Sequence, residues 1–274
     1  MGDNKRDCTT PELVMKYLSV QNKMPRELFH FTSYQALLSI LRNRSFRFSR
    51  MDRLNDKAEM KLGLEHEHKR SYVMSFTEET ERVSMWTMYG KSIGIKLRLG
   101  FSRESFAEQF KENNVFFRDN EGYEQSIERH FKPLIPIKKY ESQTQLSKVA
   151  YYDKKQKIIY DSGPSYPFPI EVNDKAINEL TGFVKYSAWE AEHEIRARAL
   201  LDYNIADLEK KEIDYLYMKL SDKLIRSFRI TYNPWVSEEL KREIANSLNG
   251  LAGTELVYEN SSLTGQVDES ILHS

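Results

Sequence analysis

Apolar and polar positions fall into two periods along this chain, one of two residues and one of three to four, and together they divide most of it into strands and helices. Glu27-Leu28-Phe29-His30-Phe31-Thr32 reads as a first strand, and Ser33 is placed to cap a helix whose apolar face is Ala36, Leu37, Ile40 and Leu41. Ser45-Phe46-Arg47-Phe48-Ser49-Arg50 alternates as a second strand. His30 therefore stands beside a helix N-terminus, where free N–H groups favour an anion. In the turn over residues 51–56, Asn55 and Asp56 can bond their own backbone, and local capping and a site role both stay open for them. A helix from Ala58 is expected to run into Glu65-His66-Glu67-His68-Lys69-Arg70, with both histidines exposed. Tyr72-Val73-Met74-Ser75-Phe76-Thr77 is apolar enough for a central third strand, and residues 94–99 alternate as a fourth. Between them Trp86 and Tyr89 lie three apart on a helical turn that Gly90 can end.

The pattern loosens over residues 102–170, with a helix expected at 103–112, a strand near 149–152 and a Pro/Gly-rich loop at 161–169, so this segment reads as an insertion or lid. Asp174 then begins a helix with Ile177, Leu180, Phe183 and Val184 inward. Residues 216–220 and 225–232 look extended. Ser237 caps a helix bearing Leu240, Ile244 and Leu248, which Gly250 is expected to end, and residues 256–258 form a last strand. Residues 1–26 carry a lead-in helix starting near Pro11. The fold class that results is α+β, with a mixed, mostly antiparallel split sheet and flanking helices, built as one domain over residues 27–260 and followed by a polar tail at 261–274.

One stretch draws attention by its charges. In Trp189-Glu190-Ala191-Glu192-His193-Glu194-Ile195-Arg196-Ala197-Arg198, three acids and two bases occupy every second position, which as a strand would put them on one face. As a helix the same residues would pair at i,i+4 on a solvated surface. The strand is the expectation adopted here, with Glu192, Glu194 and Arg196 facing a cleft shared with His30.

Composition narrows the chemistry. Among 274 residues, 41 Lys and Arg balance 41 Asp and Glu, so no global basic field holds the chain to a phosphate backbone, and any nucleic-acid contact needs a local basic patch. The single cysteine, Cys8, excludes an internal disulfide and a cysteine-built metal site, and its polar setting makes it a poor nucleophile. His66 and His68 lack the i,i+4 spacing of paired zinc ligands, and no metal site is expected. No run is apolar enough to span a membrane and the polar start lacks the apolar core of a signal peptide, so the expected location is the cytoplasm, with no membrane partner.

Taken together, Leu28-Phe29-His30-Phe31-Thr32, Leu54-Asn55-Asp56 with Glu59, Met74-Ser75-Phe76-Thr77, Trp86 with Tyr89, and Trp189 with Glu192, Glu194 and Arg196 resemble a widespread bacterial family, domain of unknown function 2971, over residues 27–258. The order of these motifs also resembles, more distantly, the ADP-ribosyltransferase fold and its DNA-modifying toxin branch. That second resemblance implies NAD as substrate, cleavage of the nicotinamide–ribose bond, a nucleic-acid or protein acceptor, and the role of a toxin or phage-defence effector. It implies His30 as the ribose-holding histidine and Glu194 or Glu192 as the catalytic carboxylate. Glu192-His193-Glu194 has the Glu-x-Glu form of the arginine-modifying members, and Glu194, its last acid, is preferred. Tyr72, Phe76 and Tyr89 compete for the aromatic that packs on nicotinamide, and Arg50 or Arg53 would neutralise the pyrophosphate. The NAD-binding set expected on this basis is His30, Thr32, Arg50, Asn55, Ser75, Phe76, Tyr89 and Arg196. Two other readings compete: a Mg²⁺-dependent nuclease or phosphodiesterase built on Asp56, Glu59, Glu192 and Glu194, and a ligand-binding module of a defence system without turnover.

Overall fold

Local sequence explains where the chain turns from strand to helix. The computed structural model describes residues 27–54, 56–78, 81–90, 94–99, 115–119, 121–126, 146–160, 170–201 and 213–268. The expected lead-in helix, the helix at 103–112, the loop at 161–169 and Asn55 lie outside the described residues. In chain order the elements are β1 (Leu28–Ser33), α1 (Tyr34–Asn43), β2 (Ser45–Arg50), 3₁₀ turns at Met51–Arg53 and Glu59–Lys61, α2 (Glu65–Arg70) and β3 (Ser71–Thr77). There follow α3 (Val83–Met85) running into a π-helical turn at Trp86–Gly90, β4 (Gly94–Leu99), β5 (Val115–Arg118), β6 (Glu124–Ser126), β7 (Leu146–Lys148), β8 (Ala150–Asp153), β9 (Ile158–Tyr160) and β10 (Ile170–Glu171). The remainder is α4 (Asp174–Glu179), β11 (Val184–Tyr186), a 3₁₀ turn at Ser187–Glu192, β12 (Glu194–Leu200), β13 (Tyr215–Lys219), α5 (Asp222–Arg226), β14 (Arg229–Tyr232), α6 (Glu238–Ala252) and β15 (Val257–Asn260). The chain is a mixed α+β protein whose strands pair mostly antiparallel; β8 with β11 and β14 with β15 run parallel.

Its residues group into two compact units. The second unit comprises the described residues within 25–46, 76–109 and 219–274. Here β4 pairs with β1 from Leu28↔Leu99 to Ser33↔Gly94 and on its other side with β14, which pairs with β15. The Ser33 hydroxyl accepts from the Ala36 N–H at 3.2 Å, capping α1 as its position predicts. Helix α1 packs against α6, whose Ile244 and Leu248 are buried. Phe29, Phe31, Met85 and Trp86 form a second apolar cluster, with Phe31 edge-on to Trp86 at 4.8 Å.

The first unit comprises the described residues within 47–75 and 110–218. In it β3 lies beside β2 and β12, β12 pairs with β7, and β13 pairs with β5, which pairs with β6. A separate sheet runs β10-β9-β8-β11. Its apolar side holds Leu62, Ala150, Ile159, Val172, Ile177, Leu180 and Val184.

Several expectations change. The helix expected from Ala58 is broken at Gly63, whose φ of +96° suits glycine and whose added Cβ would meet the Thr181 hydroxyl at 2.1 Å. His68 is fully buried rather than exposed, its Nε2 bonded to the Leu62 carbonyl at 2.8 Å, and burial lowers its pKa. Residues 225–226 belong to α5 rather than to an extended run, because Ser221 accepts from the Leu224 N–H at 3.2 Å and starts a helical turn. Helix α6 continues through Gly250 and ends at Gly253, the residue with φ +66°. Helix α4 ends at Glu179; Leu180, Phe183 and Val184 are buried beyond it.

Candidate functional site

The charged stretch is half turn and half strand. Residues Ser187–Glu192 wind as a 3₁₀ turn, His193 takes a left-handed conformation (φ 44°, ψ 50°), and only from Glu194 does the chain run as β12. Both the single strand and the helix expected for this stretch are therefore corrected: the reversal at His193 separates Glu192 from the strand that carries Glu194, Arg196 and Arg198. It also lets both glutamates reach one cation. The Lys185 ammonium on β11 donates to Glu192 Oε2 at 2.5 Å and to Glu194 Oε2 at 3.2 Å.

Arg196 completes the network from the other side. Its Nε and Nη2 grip Glu194 at 2.9 and 3.1 Å, its Nη1 and Nη2 bond Glu59, and Nη1 also donates to the Gly182 carbonyl at 3.1 Å. All five guanidinium N–H groups thus have acceptors. Gly182 has a φ of +87°, and a Cβ there would meet Met51 Sδ at 3.0 Å and Arg198 at 3.1 Å, so glycine is what allows the backbone so close. The Glu194 backbone N–H donates to the Tyr151 hydroxyl at 2.9 Å. Arg196, Glu194 and Glu192 are 1%, 3% and 4% exposed. They lie inside the unit; the expected cleft-facing carboxylates are instead paired with cations in the interior.

The electrostatics follow from this pairing. Burial alone would raise the Glu194 pKa, but the charges of Arg196 and Lys185, with bonds from Arg196 and Ser75, bring it down to about 2. Burial opposes the charge on Lys185, and the carboxylates of Glu194 and Glu192 overcome it, raising its pKa. Arg196 is likewise raised, by Glu194 and Glu59 against its burial. The Tyr151 hydroxyl is pushed upward by burial and then by Glu194.

Ser75 connects this interior to the surface. It is an exposed residue of β3, and its hydroxyl donates to Glu194 Oε1 at 2.5 Å. On the other flank, Lys185 Nζ lies 4.8 Å from the centre of the Trp189 ring, a cation–π contact that ties the buried network to the 3₁₀ turn.

No protein family, curated protein or solved structure matches this chain.

Of the residues expected to form the site, the structure brings together Ser75, Glu192, Glu194 and Arg196. Arg50 belongs to the same unit but is engaged elsewhere: it is buried, binds Asp52 through Nε at 2.7 Å and Nη2 at 3.1 Å, and donates to the Ile213 carbonyl at 3.2 Å. Burial acts to lower its pKa and the bond and charge of Asp52 raise it. Asp56 Oδ1 accepts from the Ala58 and Glu59 N–H groups at 2.9 and 3.3 Å, the local capping geometry. In the second unit, His30 is half-buried with its ring centre 5.9 Å from that of Phe76, and Thr32 is buried opposite Ile95. Tyr89 is 39% exposed on the π-helical turn, whereas Trp86 is buried. Lys185 and Tyr151 were missed. The only local sign of Lys185 is a lysine between Val184 and Tyr186, and nothing there names carboxylates seven and nine residues on.

Proposed function

We propose that the chain is an NAD-dependent ADP-ribosyltransferase or NAD glycohydrolase that breaks the nicotinamide–ribose bond, with Glu194 as its catalytic carboxylate. The observation that carries this reading is a carboxylate held ionised by two buried cations and hydrogen-bonded to the hydroxyl of Ser75, an exposed residue. The resemblance of its motifs to the ADP-ribosyltransferase fold supplies the reaction class.

In this reading the C1′–N bond breaks with its electron pair leaving on nicotinamide. The ribose passes through an oxocarbenium-like state, and an acceptor or water attacks C1′ and loses its proton. A fixed anion at low pKa cannot take that proton, which passes to solvent; Glu194, buried and paired with Arg196 and Lys185, acts through the Ser75 hydroxyl that it orients. Ser75 would pass its polarisation to a ribose hydroxyl, and Arg196 and Lys185 keep Glu194 charged. The magnesium reading is disfavoured by one feature: Glu59, Glu192 and Glu194 are each bonded to Arg196 or Lys185 and would have to leave those partners to hold a metal ion.

The test is nicotinamide release from NAD by the purified chain, with and without nucleic acid or protein acceptors. Ser75→Ala, which removes a surface hydroxyl without unpairing Arg196, is expected to reduce turnover about tenfold, equivalent to about 1.4 kcal/mol of lost stabilisation. Glu194→Gln should abolish turnover. A folded protein that neither binds nor consumes NAD sinks the reading, and magnesium-dependent cleavage of nucleic acid without NAD would put the alternative in its place.

A further inference from the structure

The unit that contains the charge network also carries a cleft of about 610 Å³ that the NAD reading does not use. Its walls come from the turn after β8, the Glu59–Lys61 turn, the end of β11 and the start of the Ser187–Glu192 turn. Tyr186 and Trp189 give it aromatic surface, with Tyr152 buried at its floor, and Lys61, Lys154 and Lys155 give it positive charge. In a chain of zero net charge this is the local basic patch that composition alone could not locate.

Each part bears on what would fit. The rings of Tyr152 and Tyr186 are tilted at 42° with centroids 6.1 Å apart, so neither covers the face of the other. One face of Trp189 rests on the Lys185 ammonium, which holds the indole in place. The three lysines are exposed, and none is in an ion pair among the described residues. The single carboxylate in the lining, Asp153, has Oδ1 committed to the Lys155 and Gln156 N–H groups at 2.8 and 3.2 Å, where it closes the turn. An acidic peptide would use the lysines and leave the rings idle, and an apolar ligand would do the reverse. A planar ring carrying a phosphate uses both.

We infer that this cleft is a binding site for a phosphate-bearing nucleobase, with the base against Trp189 and Tyr186 and the phosphate drawn to Lys61, Lys154 and Lys155. The cleft lies in the size range of small-ligand sites. Stacking on aromatic side chains tolerates any base, and lysine contacts to phosphate weaken with salt. The ligand is either a free nucleotide or one residue of a single strand, since both present the same chemistry. The inference does not rest on NAD cleavage.

Calorimetric titration of the full chain at low salt with AMP, UMP, adenosine, inorganic phosphate and a six-residue oligothymidylate tests it. AMP and UMP should bind saturably and at least tenfold more tightly than adenosine or phosphate alone, with affinity falling as salt rises. Lys154→Glu with Lys155→Glu, in an exposed turn, should weaken that binding at least tenfold without altering the thermal melt. Trp189→Leu should weaken it about tenfold. A strand that binds while AMP and UMP do not, and is released by the same charge reversal, assigns the site to single strands. No saturable binding of nucleotide or strand, adenosine binding as tightly as AMP, or binding indifferent to the charge reversal overturns the inference. Nicotinamide release by the charge-reversed variant, read alongside, separates this outcome from failure of the NAD reading.

Discussion

Arg196 cannot lose a partner without leaving another group stranded in the interior. Its guanidinium holds Glu194, Glu59 and the Gly182 carbonyl together, and water reaches none of these contacts freely. Replacing it by methionine keeps most of the volume but leaves carboxylates buried without their cation, which costs about 3–5 kcal/mol. Arg196→Met should therefore unfold at markedly lower urea than the wild type, and an unchanged midpoint would mean that the network is not as the structure draws it. Ser75 differs because it sits at the edge of the same network, so Ser75→Ala should leave the urea midpoint nearly unchanged while acting on turnover. Stability and activity can thus be separated at two residues that touch the same carboxylate.

At the scale of elements, the left-handed residue between the Ser187–Glu192 turn and β12 decides whether the two glutamates converge. A β-branched side chain is poorly tolerated at φ 44°, so His193→Val is expected to cost about 1–2 kcal/mol and His193→Gly less, as thermal denaturation of the two variants would reveal. The same conformation explains what the sequence could and could not convey. Strand β4 was legible to the residue, because alternation over Gly94-Ile95-Lys96-Leu97-Arg98-Leu99 is local, and α1 was legible from Ser33 and its apolar stripe. The turn at Ser187–Glu192 was not, because alternating charge is compatible with a strand and nothing in the letters requires His193 to reverse the chain. Helix α5 was hidden by its length, five residues with an apolar pair that also suits a strand. The charge network was half visible. Glu192, Glu194 and Arg196 announce themselves by spacing, whereas Glu59 bonds Arg196 from 137 positions away and Lys185 looks like any strand lysine. Pairings of that kind belong to tertiary structure.

For the whole molecule, the depressed pKa of Glu194 makes stability depend on acid. Its folded value, about 2, lies below its usual 4.5, so its contribution is complete above about pH 4.5 and is lost as pH falls toward 2. Urea unfolding across this window should give a stability that declines with acid more steeply for the wild type than for Glu194→Gln; parallel curves would refute the assignment. The tryptophans let the signal be localised. Trp189 belongs to the unit with the network, and Trp86 and Trp235 belong to the other, so emission lost in Trp189→Phe reports the first unit alone. That matters because a chain with two units need not unfold in one step.

The guanidinium of Arg196 also bears on time. To complete its bonds, residues 59, 182 and 194 must all have arrived, and the longest of these closures spans most of the first unit. Loops of that length close late, after the local hairpins and helical turns have formed. Interactions absent from the transition state retard unfolding without hastening folding. Arg196 is in this sense a latch: it sets how long the unit stays closed around Glu194 rather than how quickly it first closes.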